Sequence, residues 1–182
     1  MADAATGNGQ HRFPWRILGW GGAACLLLLP LVARAPWTLS DFLVAGAMLG
    51  IAGAALELAV RFSRGNFAYR AGAGAAIAAA FLLVWVNGAV GFLGDEGNPA
   101  NLVFAAVLLV ALLGAVLARF RAAGMARAMF AAAGVQLLIG AIAIPLGWAS
   151  PGNAGLYEVA MGTGLFTALW LVSAALFRKA AS

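Results

Sequence analysis

Long apolar runs, broken by short polar, basic or glycine-rich stretches, dominate the chain. Six runs stand out: Ile17 to Ala33, Phe42 to Val60, Ala71 to Leu93, Leu102 to Ala118, Met125 to Trp148 and Tyr157 to Phe177. Each approaches the length of about 20 residues that a helix needs to cross a hydrocarbon layer. They are rich in Ala and Leu, and few show the apolar–polar alternation of a barrel strand, so each predicts a helix. No stretch between them is long enough for a separate soluble domain. The expected architecture is all-α, a polytopic membrane bundle of six transmembrane helices over residues 17–178. Cytoplasmic tails are expected at residues 1–16 and 179–182.

Composition agrees with the pattern. Of 182 residues, 64% are hydrophobic and only 9% are charged, whereas a soluble domain carries charge on roughly a quarter of its residues. So few charges cannot solvate the outside of a soluble fold, which excludes an ordinary cytosolic enzyme. A disordered chain is excluded by the apolar content, and a disulfide scaffold by the single cysteine, Cys25.

The placement of the charges says more than their number. Arg12 and Arg16 precede the first run, and Arg61, Arg64 and Arg70 lie between the second and third. Arg119 and Arg121 lie between the fourth and fifth, with Arg127 just inside the start of the fifth, and Arg178 and Lys179 follow the sixth. Ten of the 11 basic residues therefore fall on one side, with Arg34 the exception. Asp41, Asp95, Glu96 and Glu158 fall on the other. The positive-inside rule places both termini in the cytoplasm. The net charge of +5 thus reads as an orientation signal. No nucleic acid partner is implied, because binding one would not space bases at every second helix end.

Ala33-Arg34-Ala35 resembles a signal-peptidase site, but Pro36 at the first mature position is expected to block cleavage. Losing the first run would also break the even alternation of charge, so its retention is expected. Cys25 lacks the leucine of a lipoprotein site and reads as a small packing residue. Arg61, Arg121 and Arg178 recur 60 and 57 residues apart, each beside a phenylalanine (Phe62, Phe120, Phe177). Polar helix starts recur too, at Asp41, at Asn98 to Asn101 and at Glu158. Two readings stand: three parallel in–out–in hairpins, or the periodicity of any six-helix protein with equal spans. Pro30, Asn87 and Pro145, 57 and 58 residues apart, either line an outward cavity or are ordinary irregularities near helix ends.

Catalysis lacks its parts: no catalytic residue, metal-ligand set or cofactor site can be assigned. The one histidine, His11, lies in the tail, and no acidic pair sits at mid-depth. No P-loop sequence is present. Apart from Glu158 at the very start of the sixth, Glu57 is the one carboxylate inside a run, with Arg61 at i+4 in the favourable order. They form either an ion pair at the inner rim or a contact for a partner subunit. With Gly46, Gly50 and Ala54, a small-residue ridge on the second run, they make up the candidate set for helix packing or partner contact. The partner would be a second membrane protein or another copy of the chain.

Trp85, Asn87 and Gln136 are the candidate ligand-binding set. Asn87 brings an amide near the outer end of the third run, either as interhelical glue or to orient a ligand, and Gly88 and Gly91 permit close approach there. Gln136, near the middle of the fifth run, needs a partner amide or backbone carbonyl. The remaining polar residues have local explanations. Asn98 with Pro99 reads as an N-cap before a proline at the first helical position, with Asn101 bonding locally. Thr38 with Asp41 makes a similar cap. Asp95 and Glu96 solvate a loop or hold a cation, and Thr163 and Thr167 are expected to bond their own helix. Trp15, Trp20, Trp37, Trp148, Tyr69 and Tyr157 read as interfacial anchors.

The stretch from Asp41 to Phe104 carries Leu56-Glu57-Leu58-Ala59-Val60-Arg61, Tyr69-Arg70, Trp85-Val86-Asn87-Gly88-Ala89-Val90-Gly91 and Asn98-Pro99-Ala100-Asn101. In these it resembles an uncharacterised family of small six-span bacterial inner-membrane proteins. The resemblance implies a bacterial source and no particular activity. In size and span count the chain is also similar to substrate-binding subunits of vitamin transporters, a fold-level analogy only. The expected role is a binding or carrier component for a small, largely uncharged molecule. The alternative is an accessory subunit of a larger membrane complex.

Overall fold

The computed structural model describes residues 15–182. Six helical elements follow one another: α1 (Trp15–Val32), α2 (Leu39–Phe62), α3 (Phe67–Ala89), α4 (Ala105–Leu117, entered through a 3-10 turn over Pro99–Phe104), α5 (Ala122–Ala143) and α6 (Asn153–Ala181). No strand occurs among the described residues. Five segments are long and apolar enough to cross a membrane: α2, α3, Pro99–Leu117, α5 and Ala154–Ala181. The apolar part of α1, Gly19–Val32, is shorter. The helices coincide with the six expected runs, and a membrane-crossing length holds for five of them. The tail with His11 and Arg12 lies outside the described residues, except that Trp15 and Arg16 open α1.

Local chemistry moves the helix ends from where hydropathy alone puts them. Helix α3 starts at Phe67 rather than Ala71, because the Asn66 side chain accepts from the Tyr69 N–H at 3.0 Å and caps it. It ends at Ala89 rather than Leu93, because Gly91 takes a φ of 73° and turns the chain away. Helix α5 stops at Ala143, two residues before Pro145, with the Trp148 N–H closing back on the Ala143 carbonyl at 3.0 Å. Asn98 does cap the next element, accepting from the Ala100 N–H at 3.0 Å before Pro99, but what it opens is a 3-10 turn. Thr38 donates to Asp41 Oδ2 through its N–H (2.6 Å) and its hydroxyl (2.8 Å), fixing the entry to α2.

Contacts divide the chain into two units, Met1–Gly53 and Ala54–Ser182. In the first, Gly46 of α2 faces Leu27 of α1, and Gly53 lies so close to the Trp20 ring that a Cβ there would sit 2.8 Å from it. Trp37 meets Phe42 edge-on, with centroids 5.2 Å apart.

In the second unit α6 is central, packing on α3 and on α5, and α5 in turn packs on α4. Neighbours are antiparallel. Ser173 of α6 donates to the Gly72 carbonyl of α3 at 2.7 Å, while Phe92, just past α3, lies against Gly162 near the other end of α6. Small residues let these backbones approach: a Cβ on Gly114 of α4 would come within 2.5 Å of Ala128 Cβ of α5. The core holds Leu83, Leu93, Phe104, Val107, Met129, Val159, Trp170 and Phe177, all fully buried.

The outward faces are apolar. On α4, Leu109, Leu112, Leu113, Val116 and Leu117 are all exposed, Leu117 to 83%. Each large aliphatic side chain left in water forgoes about 1.5–3 kcal/mol of transfer free energy. A row of this kind belongs in contact with lipid.

Candidate functional site

The two ends of the second unit differ in chemistry. At one end the α2–α3 turn, the α4–α5 turn and the last turn of α6 converge. The Tyr69 hydroxyl donates to the Phe120 carbonyl at 2.8 Å, and Asn66 Nδ2 donates to the Ala180 carbonyl at 3.3 Å. Phe62 stacks on Phe120 at 4.7 Å, and Tyr69 meets Phe177 edge-on at 5.0 Å. The phenylalanines noted for their spacing thus meet at this one end in two ring pairs, joined by the Tyr69 bond to the Phe120 carbonyl. Arg61, Arg64, Arg70, Arg119, Arg121, Arg127, Arg178 and Lys179 all belong to this end. Tyr69 is buried there and bonded to backbone, so it is not an interfacial anchor. Tyr157, by contrast, is largely exposed.

The opposite end holds Asp95, Glu96 and two interlocked loops. Asn101, expected to bond only locally, reaches back eight and nine residues. Its Oδ1 accepts from the N–H groups of Leu93 (2.7 Å) and Phe92 (2.9 Å), and its Nδ2 donates to the Asp95 carbonyl at 2.7 Å. This clamp holds Phe92 and Leu93 inside the core. Asn98 Nδ2 donates to the Trp148 carbonyl at 3.3 Å, and the Ser150 hydroxyl to the Gly94 carbonyl at 3.4 Å. The two loops border an open cleft of about 570 Å³ edged by Asp95, Asn98, Trp148 and Ser150.

Between the ends, the contact of Gly140 (α5) with Thr163 (α6) is so close that any Cβ would collide with the threonine side chain. In an antiparallel pair that contact fixes the register. One turn along, Gln136 is level with Thr167, and the next turn brings Ala133 level with Trp170. Gln136 is fully buried, and Thr163, Thr167 and Trp170 are also buried. Among the described residues, neither amide atom of Gln136, neither threonine Oγ1 nor Trp170 Nε1 has a hydrogen-bond partner. A threonine hydroxyl can turn to the carbonyl four residues back. The Gln136 amide and the Trp170 indole N–H have no such local recourse, and each unmet buried group costs about 1–3 kcal/mol.

The three candidate ligand residues do not form one cluster. Trp85 is exposed on α3, stacked with Phe81 at 6.2 Å. Asn87 donates back to the Leu83 carbonyl of its own helix at 2.7 Å, while its Oδ1 is buried without a partner among the described residues. Through the Ser173–Gly72 bond, Asn87 falls level with the first turns of α6. That is six or more residues from the level of Gln136, about 9 Å or more along the axis. Only Gln136 joins the buried polar row. Thr163 and Thr167, expected to bond their own helix but without a hydrogen-bond partner among the described residues, join it with Trp170 at i, i+4 and i+7 of α6. That spacing was the available signal.

The ridge set is spread along α2. Gly46 meets Leu27, a Cβ on Gly50 would meet nothing within 4 Å, and Ala54 is exposed. Glu57 is half-buried and Arg61 exposed, one turn apart near the end of the helix. Among the described residues no group of three His, Cys, Asp or Glu side chains is placed to hold a metal ion.

These features define a class, an all-helical protein whose long apolar helices and exposed apolar faces mark it as a membrane protein in contact with lipid. No family, curated protein or solved structure matches the chain.

Proposed function

We propose that the protein is a six-span bacterial inner-membrane protein, with both termini cytoplasmic, that binds or carries a small, largely uncharged molecule. One observation carries the binding role. The buried polar side chains among the described residues are Ser63, Asn101, Gln136, Thr163, Thr167 and Ser173, none of them charged. Three of these, with Trp170, present polar atoms that no other described group satisfies. An interior of uncharged donors and acceptors favours a neutral guest, because an ion would be desolvated there without a counter-charge. The alternation of basic residues along the chain supports the orientation.

The test is a thermal-shift screen of the purified protein against vitamins, lipids and quinones, repeated with Gln136→Leu and Asn87→Ala. A ligand-dependent rise in melting temperature that Gln136→Leu abolishes is the expected result. No shift with any compound, or one untouched by both substitutions, refutes the role.

A second reading, an accessory subunit of a membrane complex, is favoured by the open side of α2 at Gly50. A strictly monomeric protein after purification in mild detergent, together with a harmless Gly50→Leu, would dispose of it.

A further inference from the structure

Resting on the binding role above, we infer that the α5–α6 seam at Gln136, Thr167 and Trp170 is a site for a small neutral molecule bearing both a donor and an acceptor. Its class is that of primary amides and ureas, with water as the other source of the same chemistry. The Gln136 side chain offers a donor, Nε2, beside an acceptor, Oε1, and both are sealed from solvent without a partner among the described residues. That pair is complementary to the edge of another primary amide, which supplies an acceptor and a donor side by side. The Trp170 indole N–H, one turn further along α6 and only 1% exposed, is a donor alone and asks for a second acceptor. The hydroxyls of Thr163 and Thr167 turn to give or receive as the guest requires. The row from Thr163 to Trp170 spans seven residues of α6, about 10 Å; Gly140 closes it against Thr163 at one end, and the α5 residue level with Trp170 at the other is the short, buried Ala133. No buried charged side chain occurs among the described residues, so the seam selects against ions.

The chain contains two glutamines, Gln10 and Gln136, so selective labelling of glutamine side chains with nitrogen-15 gives two amide signals. The full chain is placed in lipid nanodiscs, and the Gln136 signal is assigned by its disappearance in Gln136→Leu. Acetamide, which donates and accepts, is then titrated against N,N-dimethylacetamide, which only accepts, and magnetisation transfer from water is recorded in parallel. The expected result is a saturable shift of the Gln136 signal with acetamide and a weaker one with dimethylacetamide, which cannot donate to Oε1, the Gln10 signal staying still. In Trp170→Phe the acetamide response should weaken several-fold. Transfer from water to Gln136 without an acetamide shift upholds the site and assigns it to water. A Gln136 amide that neither moves with acetamide nor exchanges magnetisation with water overturns the inference; if Gln136→Leu does not fold, loss of the Gln10 signal in Gln10→Asn makes the same assignment. A compound that raises the melting temperature yet leaves the Gln136 signal unmoved also overturns this site, while the broader binding role stands.

Discussion

Replacing Asn101 with alanine should loosen the end of the second unit that carries Asp95 and Glu96. The side chain is 9% exposed and makes three close bonds to the chain before it. Alanine leaves the Phe92 and Leu93 N–H groups, both in buried bonds, without their shared acceptor. At about 1–3 kcal/mol for each unmet buried donor, the loss is about 2–6 kcal/mol. The Asp95 carbonyl lies in a part-buried bond and adds little, because water can reach it. Asn101→Asp keeps the acceptor and loses only the donor, so it should fall between the parent and the alanine variant. Unfolding titrations with SDS, starting from mild-detergent micelles, measure the difference, and accelerated hydrogen exchange at Phe92 and Leu93 localises it. An Asn101→Ala protein within about 0.5 kcal/mol of the parent, the range expected of a surface substitution, would show that Asn101 does not hold this loop.

Three further tests probe the basic end, the α5–α6 contact and the orientation. Tyr69→Phe removes the bond to the Phe120 carbonyl and should cost about 1 kcal/mol in the same titration. Gly140→Ala forces a methyl group into Thr163 and should cost about 1–3 kcal/mol through overpacking, whereas Gly134→Ala, open on the same helix, should be nearly neutral. For orientation, the exposed Cys25 is first changed to serine and single cysteines are placed at Glu96 or Arg178. A membrane-impermeant maleimide should label Glu96→Cys from outside intact spheroplasts and reach Arg178→Cys only after lysis. The reverse pattern contradicts a cytoplasmic basic end.

Much of the helix inventory is legible in hydropathy, because a helix facing lipid needs a continuous apolar surface and the residues state it directly. Helix ends are less so. The extra first turn of α3 depends on Asn66 and its early end on Gly91, single-residue effects that an average over some twenty positions smooths away. The charge pattern reads through to three dimensions, since Arg61 to Arg70, Arg119 to Arg127 and Arg178 with Lys179 do meet at one end of the second unit. The candidate site was only partly legible. Gln136 stands out because an amide is rare in such a run. Its neighbours on α6 do not, since threonine and tryptophan are common in membrane helices, and their alignment with Gln136 depends on the register set by Gly140 against Thr163. Asn87 attracts notice for the same reason as Gln136, yet its amide turns back on its own helix. Asn101 looks like an ordinary capping residue until the path of the loop that it grips is known.

The central claim is that Gln136 is a sealed amide kept for a guest, with no part in holding the fold together. The most direct measurement compares the melting of the parent and Gln136→Leu, each with and without saturating acetamide. Leucine is close in volume and carries no polar atoms, so the variant should melt no lower than the parent when no solute is added. It should gain up to about 1–3 kcal/mol if the amide is unmet in the parent, and it should not respond to acetamide, which raises the melting temperature of the parent. A Gln136→Leu protein that melts several degrees below the parent, or that responds to acetamide as the parent does, contradicts the claim.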